Sequence, residues 1–292
     1  MKLIRFGEGG GERPGVLLDD DSRRDVSDFV PDYDETFFAR GGMEALRDWL
    51  KTHLSLAPRV PSTIRLGPPI CRPSKIVCIG LNYRDHAAET GAAIPKEPVI
   101  FLKATTSLVG PNDALLIPRN ATKVDWEVEL ALVVGKTALY VPRDEALDYV
   151  AGYVLHNDYS ERSFQLERGG QWVKGKSADT FAPLGPFLAS PDELRDPRNL
   201  KVWLKVNGEI RQNSSTANMI FEVATLLSYV SEFMTLLPGD VISTGTPAGV
   251  GLGMKPPQYL KSGDVVELGI EGLGESRQPV VNFSEECHSK TV

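Results

Sequence analysis

The segment 126–134 constrains both the fold and the chemistry of this chain. Trp126, Val128 and Leu130 are apolar and alternate with the charged Glu127 and Glu129. Residues 131–134 then continue as an uncharged apolar run. Alternate residues of a strand share a face, so we expect both carboxylates to point the same way. Two like charges on an apolar strand repel each other, and their burial is costly unless another group compensates. The segment is therefore predicted to be a strand with either a solvated acidic face or a cation site.

Asp158 offers a third carboxylate after the next strand-like segment. Three carboxylates without a nearby cysteine suit a hard, oxygen-preferring ion such as Mg²⁺, Mn²⁺ or Ca²⁺ rather than zinc. A solvated strand face is the more frequent outcome for two alternating glutamates taken alone. The surrounding motifs must decide between these two interpretations.

Overall composition narrows the classes of protein and partner. The 292 residues allow one large domain with a small appendage, and 41% apolar and 24% charged residues are typical of a globular protein. The net charge is −7 and no basic run is present, which argues against a nucleic-acid partner. The N-terminus lacks the apolar core of a secretion signal, and no apolar run is long enough to span a bilayer. We therefore expect a cytoplasmic protein with no membrane partner.

The cysteines agree with this expectation. Cys71, Cys78 and Cys287 are an odd number without metal-ligand spacing. They are predicted to be reduced thiols, as is usual in a cytosolic protein.

The chain is predicted to divide into a small N-terminal α/β domain, residues 1–70, and a larger domain, residues 71–292. A proline-rich stretch separates the two. Many strands with few helices between them predict a mixed, β-rich α+β fold rather than a doubly wound sheet. Asn207-Gly208 is a strong hairpin signal. In the second part, strands are predicted at 76–79, 99–102, 126–134, 149–156, 202–206, 240–244 and 265–270, and helices at 83–90, 160–168 and 220–234.

Two predicted helices carry paired polar side chains. His86 and Glu89 are three residues apart, so the carboxylate can bind one imidazole nitrogen and leave the other to act as a base toward water. If a helix begins at Ser160, Asp158 lies just before it, and Arg162 and Gln165 share a face that can bind a carboxylate or carbonyl. The alternatives are a surface ion pair on the first helix and a solvent-exposed arginine on the second.

Two loops complete the candidates. Lys176 lies among small residues and could supply a cation or a proton to a pocket, although most lysines in turns are solvated. Thr246 lies in a Gly- and Thr-rich segment that could bind an anion or be a plain loop. Residues 249–253 are rich in glycine but lack dinucleotide-binding spacing, so we predict a loop.

Taken in order, these motifs resemble the fumarylacetoacetate hydrolase family over residues 73–281. Seven motifs carry the resemblance: G-L-N-Y-x-x-H-x-x-E (80–89), F-L-K (101–103), E-x-E-L (127–130), N-D-x-x-x-R-x-x-Q (157–165), G-K-S-x-D-T-F (175–181), L-K-V-N-G (204–208) and T-G-T-P-x-G-V-G (244–251). Among family members, the resemblance is greatest to acylpyruvases and 2,4-dioxo-3-deoxy sugar-acid hydrolases. It implies a β-sandwich roll and a homodimer.

The resemblance also implies roles for individual residues. Those roles are metal ligands Glu127, Glu129 and Asp158; catalytic residues His86, Glu89 and Lys176; and substrate contacts Arg162, Gln165, Thr246, Tyr83 and Lys103. The implied cofactor is Mg²⁺, with Mn²⁺ or Ca²⁺ as alternatives, and the implied substrate is a small 2-oxo acid.

The expected enzyme is a hydrolase of carbon–carbon bonds in ketonic substrates. Water activated by His86 would attack the distal carbonyl of a 2,4-dioxo acid and release pyruvate with a carboxylic acid. A decarboxylase, lyase or tautomerase, for example acting on oxaloacetate, would use the same enolate chemistry. A non-enzymatic binding module is a third alternative, and the complete carboxylate set argues against it because unused buried charges lower stability.

Overall fold

A computed structural model describes residues 1–194 and 196–284, and Cys287 lies outside these described residues. The strands are β1 Lys2–Phe6, β2 Arg13–Leu17, β3 Arg23–Asp25, β4 Arg59–Val60, β5 Leu66–Gly67, β6 Ile76–Gly80, β7 Val99–Lys103, β8 Leu108–Val109, β9 Leu115–Ile117, β10 Val124–Asp125, β11 Val128–Val134, β12 Val150–Asn157, β13 Ser160–Glu161, β14 Ala182–Pro183, β15 Leu188–Ala189, β16 Lys201–Val206, β17 Glu209–Ser215, β18 Val241–Ser243, β19 Val265–Ile270 and β20 Gly274–Asn282.

Helices are fewer and mostly short. They are α1 Glu35–Ala39, α2 Gly42–His53, α3 Arg84–Thr90, α4 Arg162–Leu166, α5 Val173–Lys176 and α6 Val223–Phe233. Within the described ranges, no helix is both long and apolar enough to cross a membrane. The predicted β-rich α+β class is therefore confirmed.

Two large sheets form the framework. The first has the strand order β4-β3-β2-β1-β15-β12-β11-β18-β6-β7, and β5 also pairs with β1. The second has the order β17-β16-β19-β20-β9. Antiparallel pairing dominates, while β18 pairs in parallel with β6. Strand β11 lies between β12 and β18, so its backbone is hydrogen-bonded on both sides.

Strand β11 separates two apolar cores, which explains why all seven of its residues are buried. Leu130 and Leu132 pack into the larger core, which also contains Leu204 of the second sheet. Ala131 and Val133 pack into the smaller core, which contains aromatic residues of α1. Because successive side chains of a strand point to opposite faces, the first sheet is covered on both sides. Burying each leucine contributes about 1.5–3 kcal/mol.

The N-terminal residues continue the first sheet. Strand β1 pairs with β2 on one side and with β15 on the other, with Lys2 opposite Ala189. Helix α1 begins after Asp34, whose carboxylate accepts the Phe37 N–H at 2.8 Å, as a capping aspartate should. The strands of residues 1–70 thus belong to the first sheet, and α1 packs into the smaller core. The domain division at residue 70 stays a prediction.

Two local predictions have clear outcomes. The Asn207-Gly208 hairpin is confirmed, with positive φ at both residues (54° and 80°), as a two-residue turn of this type requires. The helix predicted from Ser160 begins instead at Arg162. Ser160 and Glu161 form β13, which pairs with β10, and the Glu161 carboxylate then caps the helix by accepting the Ser163 N–H at 3.1 Å.

Candidate metal and catalytic site

The three predicted metal ligands lie together on the β11–β12 strand pair. Glu127 immediately precedes β11, Glu129 lies within it opposite His156, and Asp158 follows β12. One carboxylate oxygen from each residue lies within 4.8 Å of the others. Their exposures are 6%, 1% and 0%, so the solvated strand face is wrong.

Two buried lysines partly neutralise this cluster. Lys176 Nζ donates to Glu127 Oε2 at 2.5 Å and to Asp158 Oδ2 at 2.8 Å. Lys103 Nζ donates to Asp158 Oδ1 at 2.5 Å. Although burial alone would raise it, these two ammonium groups hold the pKa of Asp158 well below its ordinary value. Lys176 is 2% exposed, so the solvated lysine considered from the sequence is not what the structure shows.

Glu129 has a different environment from the other two carboxylates. Its Oε2 accepts hydrogen bonds from Ser243 Oγ at 2.5 Å and from the Gly245 N–H at 2.9 Å, and both donors are neutral. Burial, followed by the charges of Asp158 and Glu127, raises the pKa of Glu129 well above its ordinary value. Glu129 is therefore the carboxylate whose charge is least compensated, and the cluster has an all-oxygen donor set. Both properties fit a hard divalent cation.

His156 extends the contacts of Glu129 and was not predicted from the sequence. Its Nδ1 lies 2.7 Å from Ser243 Oγ, the same hydroxyl that donates to Glu129. Because that hydroxyl donates its proton to Glu129, His156 donates from Nδ1. Burial lowers the pKa of His156 to about 3, so this imidazole is neutral.

The predicted His86–Glu89 pair is present on α3. His86 Nδ1 lies 3.2 Å from Glu89 Oε2, and the imidazole is 9% exposed. Glu89 Oε1 accepts the Gly249 N–H at 2.9 Å. The helix is attached to the second sheet through Asp85, which accepts a hydrogen bond from Ser214 Oγ at 2.5 Å. The geometry is that of an imidazole oriented by a carboxylate rather than of a solvated surface pair.

A cavity of about 220 Å³ lies between His86 and two of the three carboxylates, while Glu89 and Asp158 lie behind its wall. Seven predicted site residues line it: His86, Glu127, Glu129, Arg162, Gln165, Lys176 and Thr246. Much of the remaining wall is apolar, with Phe101 and Trp172 in edge-to-face contact at 5.3 Å between ring centroids. The cavity thus combines a charged base with an apolar, aromatic wall, an arrangement typical of small-molecule sites.

Arg162 and Gln165 are paired as expected, and both are buried. Arg162 Nη1 donates to Gln165 Oε1 at 3.0 Å, while its Nη2 donates to Glu127 Oε1 at 2.6 Å. With Oε1 held by Arg162, the Gln165 amide group can donate to a substrate oxygen through Nε2. Thr246 Oγ1 donates to the Val128 carbonyl at 2.9 Å, so a contact between this hydroxyl and a substrate carboxylate stays a prediction.

Two predicted substrate contacts lie elsewhere. Tyr83 and Lys103 are not among the residues that line the cavity. Tyr83 is fully buried in the larger core, and its hydroxyl has no hydrogen-bond partner within the described ranges. Lys103 binds Asp158 and the Tyr159 carbonyl, at 2.5 and 3.1 Å. Lys103 thus balances the charge of Asp158, and a substrate contact by Lys103 or Tyr83 stays a prediction.

Asp125 is a buried carboxylate that supports the site from behind its wall, and the sequence reasoning missed it. It is fully buried, and Oδ2 accepts a hydrogen bond from Arg162 Nε at 2.8 Å. Its carboxylate also accepts the N–H groups of Gly251 and Leu252, at 2.6 and 3.0 Å. The sequence did indicate it, because Asp125, Glu127 and Glu129 are spaced by two residues and alternate residues of a strand share a face.

Comparisons with known proteins agree with this geometry. Residues 75–281 match the family described as fumarylacetoacetate (FAA) hydrolase C-terminal. The 2,4-didehydro-3-deoxy-L-rhamnonate hydrolase of Sphingomonas sp. (strain SKA58) is 52% identical over 281 residues, which cover 96% of each chain.

Two solved structures show the same fold. The fumarylacetoacetate hydrolase from psychrophilic Exiguobacterium antarcticum is 39% identical, with a TM-score of 0.85, 97% of this chain covered and 100% of that chain. The maleylpyruvate hydrolase from Sphingobium sp. SYK-6, in complex with manganese(II) ion and pyruvate, is 29% identical, with a TM-score of 0.81 and the same coverage. With its fold, its motifs and most of its length matched, the chain belongs to the fumarylacetoacetate hydrolase family of enzymes.

Proposed function

We propose that this enzyme hydrolyses the C3–C4 bond of a 2,4-dioxo acid and releases pyruvate with a carboxylic acid. The observation that carries the proposal is the His86–Glu89 pair, whose imidazole lines the same cavity as Glu127 and Glu129 of the carboxylate cluster. Hydrolysis needs an activated water, and an imidazole oriented by a carboxylate is suited to activate one.

A 2,4-dioxo-3-deoxy sugar acid is our preferred substrate within this class. The relative named for such a substrate is 52% identical over nearly the whole chain. Pyruvate bound in the maleylpyruvate hydrolase structure supports a pyruvate unit as the common product. The apolar wall of the cavity supports an uncharged group at the other end of the substrate.

We propose Mg²⁺ as the cofactor, held by Glu127, Glu129 and Asp158, with Mn²⁺ or Ca²⁺ as alternatives. All three carboxylates are buried, and their oxygens are close enough to share one ion. A divalent cation at this position would act as a Lewis acid that orients the 2-oxo acid and stabilises negative charge on its oxygen. Manganese in a family member supports a divalent ion in general.

The chain's own residues account for the proton transfers. In the tautomer that donates from Nδ1 to Glu89, His86 Nε2 is the basic nitrogen and takes a proton from the attacking water. Attack at C4 and cleavage of the C3–C4 bond leave the electron pair on the pyruvate enolate, which is then protonated at C3. Lys176 is the nearby acid that we assign to this step. Burial opposes its charge, but Asp158 and Glu127 raise its pKa, so it keeps its proton at neutral pH.

Isotope labelling of the products tests the reaction. The protein with Mg²⁺ is incubated in H₂¹⁸O with acetylpyruvate or 2,4-didehydro-3-deoxy-L-rhamnonate, and the products are identified by mass spectrometry. We expect pyruvate and a second carboxylic acid whose carboxylate carries one ¹⁸O atom. Release of CO₂, or formation of a tautomer alone, on these substrates and on oxaloacetate would instead support a decarboxylase or tautomerase.

Variants separate the catalytic pair from the metal site. His86→Ala should lower kcat by about 10²- to 10⁴-fold, the usual contribution of a general base, and leave Mn²⁺ binding unchanged. The matched control is His53→Ala, which removes an exposed imidazole on α2. Full activity in His86→Ala would remove this residue from the mechanism. The homodimer and the cytoplasmic location stay predictions from the family resemblance and the sequence.

A further inference from the structure

We propose that residues 249–253, here called the glycine loop, position the Glu89 carboxylate and that buried Asp125 holds this loop in place. The proposal rests on the proposed function, in which Glu89 orients His86. It adds Asp125, Gly249 and Gly253 as positioning residues; none of these three lines the cavity, whereas Val250 and Leu252 of the same loop do. Three contacts carry it: Asp125 to the loop, the loop to Glu89, and Glu89 to His86.

The first contact fixes the centre of the loop. Asp125 is fully buried, and its Oδ1 accepts the Gly251 N–H at 2.6 Å while Oδ2 accepts the Leu252 N–H at 3.0 Å. The same carboxylate accepts the N–H of Trp126 and the Nε–H of Arg162, both at 2.8 Å. With four donors on two oxygens, the carboxylate has little freedom to rotate, and the loop shares that restriction.

The second contact transmits this position to Glu89. The Gly249 N–H donates to Glu89 Oε1 at 2.9 Å, and the other oxygen of Glu89 lies 3.2 Å from His86 Nδ1. The loop therefore holds one carboxylate oxygen while the imidazole binds the other. The Trp126 indole donates to the Gly249 carbonyl at 3.0 Å and fixes this end of the loop to the larger core.

The glycines themselves show how closely the loop and Glu89 approach each other. A Cβ atom on Gly253 would lie 2.5 Å from Glu89 Cδ and 2.7 Å from its Oε2. A Cβ atom on Gly249, where φ is +103°, would lie 1.9 Å from the Arg211 carbonyl oxygen. Gly249 is thus required by the backbone, whereas Gly253 leaves the space that the Glu89 carboxylate occupies. This second requirement is the one that a catalytic assay can test.

Gly253→Ala is the most direct perturbation, because φ at this residue is not in the left-handed region and the clash falls on a flexible side chain. The added methyl group should displace the Glu89 carboxylate. For acetylpyruvate hydrolysis with Mg²⁺, we expect kcat to fall by about 10²-fold, the usual cost of a small misplacement in an active site, with KM and Mn²⁺ affinity unchanged. The matched control is Gly11→Ala, at an exposed glycine where an added Cβ atom would meet only the Glu8 carbonyl oxygen, at an ordinary contact distance of 3.8 Å.

A double-mutant cycle distinguishes a positioning role from a structural one. If the loop acts through Glu89, then Gly253→Ala should slow the native enzyme but produce no further loss in a Glu89→Gln background. Asp125→Asn should lose less kcat in that background than in the native enzyme, with a remainder because Asp125 also binds Arg162. Equal losses in both backgrounds, or full kcat in Gly253→Ala, would overturn the proposal. If Asp125→Asn unfolds, as calorimetry would show, Gly253→Ala alone decides.

A spectroscopic measurement keeps this inference separate from the proposed function. The chain has four histidines, so long-range ¹H–¹⁵N correlation spectra can identify the His86 tautomer without any substrate. We expect an Nδ1–H tautomer in the native protein and a mixture in Gly253→Ala. An unchanged tautomer would refute the positioning role even if the enzyme is active. Full activity in both His86→Ala and Glu89→Gln would instead refute the proposed mechanism.

Discussion

Replacing Glu129 with glutamine should abolish metal-dependent stabilisation without harming the metal-free protein. The glutamine oxygen can still accept the hydrogen bonds of Ser243 and Gly245. The substitution also removes one of three carboxylates whose oxygens lie within 4.8 Å of one another. At that separation two full charges repel by about 3 kcal/mol for an effective dielectric constant of 20. We therefore expect stability in EDTA to be unchanged or increased.

The size of the metal effect follows from mass action. An ion at 100 times its dissociation constant stabilises the folded state by about 2.7 kcal/mol. An unfolding entropy of about 2.1 cal/mol/K per residue gives about 0.6 kcal/mol/K for 292 residues. The native protein should therefore unfold about 4 °C higher in saturating Mg²⁺ or Mn²⁺ than in EDTA.

Scanning calorimetry of metal-stripped protein, with and without added ion, measures both quantities. The matched control is Glu275→Gln, which neutralises an exposed carboxylate on β20 and should keep the full shift. The reasoning fails if Glu129→Gln keeps the metal-dependent shift. It also fails if this variant loses several kcal/mol in EDTA, because Glu129 would then be a structural residue and not an uncompensated carboxylate.

Two further predictions concern charges outside the catalytic pair. Lys103→Met should destabilise the metal-free protein by about 1.5–3 kcal/mol, the usual value of a hydrogen bond to a charged group, and should enlarge the Mg²⁺-dependent shift in calorimetry. An increased KM at unchanged stability would instead make Lys103 a substrate contact. Burial alone would raise the pKa of Asp32, but the hydrogen bonds from Arg5, at 2.7 and 2.9 Å, hold it below its ordinary value. The ion pair therefore contributes stability above about pH 4, near the unfolded value, and loses it as the pH falls further. Urea unfolding should show a gap between native protein and Asp32→Asn that narrows in acid, and a gap that is constant from pH 7 to pH 3 would contradict this.

The sequence was most informative where chemistry and strand periodicity coincide. Alternation placed Glu127 and Glu129 on one face of a strand, and in the structure their oxygens lie close together, beside the third predicted carboxylate, Asp158. It also indicated the pairing of His86 with Glu89, because residues three apart on a helix can meet regardless of the rest of the fold. These local rules need only a few neighbouring residues.

Contacts between distant segments could not be predicted in this way. Asp125 is two residues before Glu127, so strand alternation could have grouped it with the two glutamates. Its partners Gly251 and Leu252, however, lie 126 and 127 residues further along the chain. The helix near Ser160 begins two residues late because those residues pair with β10, and no local preference encodes that pairing. Lys103 was assigned by motif alone, and only the three-dimensional neighbours of Asp158 show which atom it binds.

The position of all three carboxylates on one strand pair has a consequence for the order of folding. Strands β11 and β12 are adjacent in the chain and antiparallel, so they can form early, and the acidic cluster would form with them. Ser243 and Gly245, which donate hydrogen bonds to Glu129, lie 114 and 116 residues further along the chain. In a folding intermediate that contains only this strand pair, the three carboxylates would therefore repel one another. A divalent ion in the refolding medium would relieve that repulsion and should favour the native pairing before the second half of the chain has docked.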